Sequence, residues 1–174
     1  MVYWGNTRYC DQMDQDKIIR EQLLSLLEGG NAHTTFDGAT KTMPLTYINA
    51  NFRNIPYSAW HLLEHLRITQ ADILDYITNP DYKYMKWPDD YWPPKNEKAA
   101  PADWKESIAM FKKDTKALQK IVRDPKTNLY AEIPHGKGET ILREILLVAD
   151  HNAYHIGEFI VLRRVLGVWE EKHI

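Results

Sequence analysis

His151 and His155 lie four residues apart within the stretch VADHNAYHIGEF, residues 148–159. On an α-helix, residues i and i+4 share a face one turn apart, so both imidazoles can be aimed at one point. Imidazole is a favoured ligand of zinc, nickel, copper and iron. The stripe that carries the pair is Val148, His151, His155, Phe159 and Leu162. It is mostly apolar, which predicts histidines that face a protein interior. Buried imidazoles need polar partners, and one metal ion would serve both. The same spacing also arises in histidines that only hydrogen-bond to their neighbours, since so short a motif often occurs by chance.

Two ligands do not make a catalytic metal site, which normally has three protein ligands and one position open to water or substrate. SAWHLLEHLRITQADIL offers a second pair at the same spacing, His61 and His65. Both lie near the stripe Ser58, Leu62, His65, Thr69 and Ile73. His65 is flanked by leucines. His61 lies one turn nearer the helix start, where a satisfied surface or boundary histidine is the simpler reading. Spacing alone does not choose between them. Glu158 follows His155 by three residues and fits an acceptor for its ring or a solvated charge, and Asp150 and Asp72 are weaker candidates to orient an imidazole. His135, beside a glycine in IPHGKGET, fits a turn-holding hydrogen bond better than a pocket mouth. His33 and His173 have no supporting pattern.

Four helices must position these side chains. The first spans 13–28, with Ile19, Leu23 and Leu26 at helical spacing and Gly29-Gly30 as its stop. The second starts after Pro56 with Ser58 as N-cap and ends at Asn79-Pro80. The third runs from Pro101 to Asp124-Pro125 and the fourth over 139–166. Gly157 costs about 1 kcal/mol in a helix interior, which predicts a neighbouring helix at close approach. The connections over 31–55 and 79–100 are long. The first suggests one short helix. The second is rich in Pro, Tyr, Trp and Lys, and either walls a site or packs on the helix ends. With no strand pattern or repeat, the reading is one all-α domain, a four-helix bundle with long connecting loops.

A net charge of −2 provides no basic field for a phosphate backbone, so nucleic acid is not an expected partner. No apolar run approaches the roughly 20 residues that cross a bilayer. The first 17 residues show no signal-peptide pattern. Cys10 is the only cysteine, which excludes an internal disulfide and reads as a free thiol. A cytoplasmic location fits best.

The stretches PYSAWHLLEHLRITQADILDY and HGKGETILREILLVADHNAYHIGEFIVLRR together resemble the DinB-like superfamily. The resemblance rests on a histidine in a Leu-Leu-x-His-Leu context followed far downstream by Asp-His-x-x-x-His-x-Gly. It implies a four-helix bundle with a divalent metal, nickel or zinc, held by one histidine of the second helix and two of the fourth. Those ligands are then His65, His151 and His155, and the resemblance is what selects His65 over His61. It further implies a thiol S-transferase that joins a low-molecular-weight thiol (bacillithiol, mycothiol or glutathione) to a small electrophile. A hydrolase at the same metal and a non-catalytic metal-binding protein are the alternatives. Exposed helix faces and aromatic loops are compatible with a homodimer.

Overall fold

The structure is a computed structural model that describes residues 6–169, with side chains from residue 15 onward. The side chains of Cys10 and His173 lie outside the described residues. The chain folds into helices α1 (Asn6–Glu28), α2 (Phe36–Thr40), α3 (Ala59–Thr78), α4 (Pro101–Arg123) and α5 (Ile141–Val165). Two 3-10 turns, Leu45–Tyr47 and Asp89–Tyr91, lie in the long connections, and the described residues include no strand.

Local chemistry sets the helix ends. Ser58 caps α3 by accepting from the His61 N–H, and Thr140 caps α5 by accepting from the Arg143 N–H at 3.2 Å. Asp103 closes the start of α4 by accepting from the Ala100 N–H at 2.7 Å, next to Pro101 at the first helical position. Helix α1 begins at Asn6 rather than at 13, because the polar run NTRYCDQ has no apolar period to announce it.

Each of the four long helices packs against at least two others: α1 and α3 both contact α4 and α5. One apolar cluster joins Leu62, Leu63 and Leu66 of α3 to Trp104 and Phe111 of α4 and to Ile156, Phe159 and Leu162 of α5. A second joins Leu23 and Leu27 of α1 to Ile73, Leu118, Val122, Ile145 and Val148. The numbering across the two clusters fixes the directions: α3 and α4 run parallel, and α5 runs opposite to both. A polar layer lies between the clusters. Gln70 Nε2 donates to the Phe111 carbonyl at 2.8 Å, and Asn152 Nδ2 donates to Gln70 Oε1 at 2.9 Å.

Parallel neighbours cannot be joined by a short turn, since the chain must first retrace the length of α3, about 30 Å for a helix of this size. The 79–100 connection makes that return as a strap along α3. The Tyr82 and Tyr91 hydroxyls each donate to Asp72 at 2.8 Å. Further along, the Tyr91 carbonyl meets His65, the Pro94 carbonyl meets His61, and Glu97 accepts from Trp60 Nε1. Contacts thus descend α3 as the strap ascends in number.

The expected role of Gly157 is not found. It is exposed on α5, and a Cβ built there meets no atom within 4 Å, so no helix among the described residues needs the missing side chain. No helix among the described residues is long and apolar enough to cross a membrane.

Candidate metal centre

Helices α3 and α5 bring His65, His151 and His155 together. His65 Nε2 lies 3.1 Å from His155 Nε2 and 3.1 Å from His151 Nε2, and the three candidate ligand atoms all fall within 4.8 Å of one another. With metal–nitrogen bonds of about 2.0–2.1 Å, tetrahedral ligands sit about 3.3 Å apart and ligands at right angles about 3.0 Å apart. Two of the three separations fall in that interval.

The outer nitrogens explain why the inner ones converge. His65 Nδ1 lies 2.8 Å from the Tyr91 carbonyl, and His155 Nδ1 lies 2.6 Å from Glu158 Oε2. A carbonyl or carboxylate oxygen only accepts, so both Nδ1 atoms carry the proton. A neutral imidazole has one N–H, so the two Nε2 atoms present bare lone pairs to each other at 3.1 Å. An N–H on His151 Nε2 could satisfy His65 and would still leave the His155 lone pair facing another. One cation at the centre satisfies all three rings.

The surroundings favour a metal over a proton as that cation. Burial lowers the proton affinity of His65, against the pull of the Tyr91 carbonyl. Burial also pushes His151 down to about 3, and repulsion from charge on His155 and His65 adds to the effect. His65 is 2% exposed and His155 is buried, while half-buried His151 forms the solvent side of the cluster.

Neighbouring groups hold the rings in place. The Trp92 indole lies flat on His65, with centroids 3.9 Å apart and planes 2° from parallel. Glu158 accepts from His155 Nδ1 at 2.6 Å, and the Tyr57 and Tyr154 hydroxyls lie within its electrostatic reach. Burial, with Glu158 next in effect, raises Tyr57 to about 12, so its phenol stays a donor. Of the three carboxylates singled out from sequence, Glu158 touches a ring directly and Asp72 acts through Tyr91. Asp150 is exposed and makes no hydrogen bond to the three histidines.

The other three described histidines, His33, His61 and His135, bond within the fold. His61 Nε2 donates to the Pro94 carbonyl at 3.2 Å, and its Nδ1 accepts from the Ser58 hydroxyl at 2.6 Å. It is 7% exposed, so the expected satisfied histidine is present but lies in the interior rather than at the surface. His135 bonds the Tyr76 carbonyl at 2.7 Å and holds its turn, and exposed His33 bonds the neighbouring Thr34 carbonyl. The aromatic connection does both things expected of it. Trp92 walls the cluster, while Tyr82 and Tyr84 pack with Tyr76 and His135 at the far end of α3. Sequence reasoning missed the Tyr91 and Pro94 carbonyls, because a backbone oxygen carries no residue-type signal.

No protein-family model matches the chain, and no curated protein or solved structure matches it.

Proposed function

We propose that the chain is a DinB-like four-helix-bundle protein of the cytoplasm that binds one divalent transition ion, nickel or zinc, through His65, His151 and His155. The observation that carries this reading is the pair of lone pairs at 3.1 Å, each fixed inward by an acceptor on the opposite ring nitrogen. Three neutral imidazoles leave the ion its full charge, and the half-buried side at His151 is where an exogenous ligand would enter.

The activity we assign is S-transfer from a low-molecular-weight thiol to a small electrophile. When bound, the ion supplies a Lewis acid at which a coordinating thiol is deprotonated. A thiol held there would release its proton to solvent, and its sulfur would form the new C–S bond as the leaving group departed with its electron pair. Trp92 shields one face of His65 from water, and Glu158 fixes the tautomer of His155.

The test is conjugation of bacillithiol, mycothiol or glutathione to a chromogenic aryl halide by metal-loaded protein, with His151→Ala beside it. Metal-dependent conjugation lost in the variant supports the assignment. Ester cleavage that needs no thiol would move the protein to the hydrolases. Bound metal with no turnover on either panel would leave a non-catalytic metal-binding protein.

A further inference from the structure

Gly157 raises a question that the fold leaves open. Glycine in a helix interior costs about 1 kcal/mol relative to alanine, and nothing among the described residues requires it here. The face around it is also apolar for a surface. The exposed residues of α5 are Arg143, Leu146, Asp150, Tyr154, Gly157, Val161, Arg164 and Val165. Tyr154, Val161 and Val165 are 65%, 54% and 55% exposed. A solvated helix face would carry charge at most of these positions.

We propose that this face is a homodimer interface in which two copies of α5 cross antiparallel at Gly157. The charge pattern identifies the occupant as a second copy. Asp150 and Arg164 stand seven residues to either side of Gly157. A two-fold axis through Gly157 therefore sets Asp150 of each copy opposite Arg164 of the other, twice in one interface. A guanidinium has five N–H donors, so this pair adds to the interactions Arg164 makes within its own chain. The same axis sets Val161 opposite Ala153 and Val165 opposite Ala149, large against small. A parallel pairing would instead place Asp150 on Asp150. The close approach expected of Gly157 then comes from outside the chain.

The interface would cover Tyr154, whose ring lies 4.8 Å from that of His155. Pairing would thereby cover the Tyr154 side of His155, and the proposal does not depend on the metal.

Light scattering of the full chain over a concentration series tests it. The wild-type chain is expected to dimerise, and Asp150→Arg and Arg164→Asp each to give monomers. The two together are expected to restore the dimer, because both pairs re-form with signs exchanged. Gly157→Leu is expected to give a folded monomer, with helix content checked by circular dichroism. A wild-type chain that stays monomeric at its highest soluble concentration would overturn the proposal. So would a dimer that survives Asp150→Arg and Gly157→Leu, or a double reversal that remains monomeric.

Discussion

The chain carries two histidine pairs at the same spacing, His61/His65 on α3 and His151/His155 on α5, and they meet different fates. His61 has both ring nitrogens satisfied within the fold, by Ser58 and by the Pro94 carbonyl. His65, one turn on, has one nitrogen satisfied by the Tyr91 carbonyl and the other facing His155 and His151. Both are buried. The contrast shows that burial and spacing do not separate a structural histidine from a candidate ligand. What separates them is whether the second nitrogen already has a partner. The strap over 79–100 gives one carbonyl to each histidine, and the Ser58 hydroxyl makes the difference by closing the second nitrogen of His61.

The contrast can be broken most severely at the cluster itself. His155→Ala is expected to abolish metal binding by isothermal calorimetry, since two ligands hold a transition ion poorly. Glu158→Gln keeps an acceptor near His155 and removes the charge, and a loss of about 10–100-fold in metal affinity is expected. Unchanged affinity would show that Glu158 does not act through the ring. Asp72→Ala reaches His65 only through Tyr91. It is expected to lower stability by about 2 kcal/mol in urea melts, from two lost phenol–carboxylate hydrogen bonds, with a smaller change in metal affinity.

Acid sharpens the contrast further. His151 is held down to about 3 in the fold and returns to about 6.5 when unfolded. Between those values the unfolded chain binds more protons, so the metal-free protein loses stability as pH falls from about 6.5 towards 3. His151→Gln is expected to shrink that loss, as measured by chemical denaturation at several pH values. An identical pH profile in the variant would contradict the assigned burial. The smallest effect is expected at Gly157, where alanine on the Asp150→Arg background should stabilise the monomer by up to about 1 kcal/mol.

Much of this organisation could be read from the sequence. The all-α class and the ends of α3, α4 and α5 follow from apolar periodicity and from the capping residues Ser58, Pro101 and Thr140, which act locally. His151 and His155 were visible because one helix sets their geometry. The choice of His65 over His61 came from the family resemblance and not from spacing, because their spacing and apolar surroundings are alike and each takes one backbone carbonyl from the 79–100 connection, so that only the Ser58 hydroxyl on His61 sets them apart. The parallel course of α3 and α4 left only an indirect sign, the length of the connection between them. Gly157 was legible as an anomaly, but among the described residues nothing comes within 4 Å of a Cβ built there.

The most direct test is elemental analysis of untagged protein purified without chelator, with His65→Ala and His61→Ala prepared alongside. The account predicts about one nickel or zinc ion per chain in the native protein, none in His65→Ala, and a full complement in His61→Ala at reduced stability. A native protein that takes up no metal even on reconstitution, or equal loss in both variants, would contradict it.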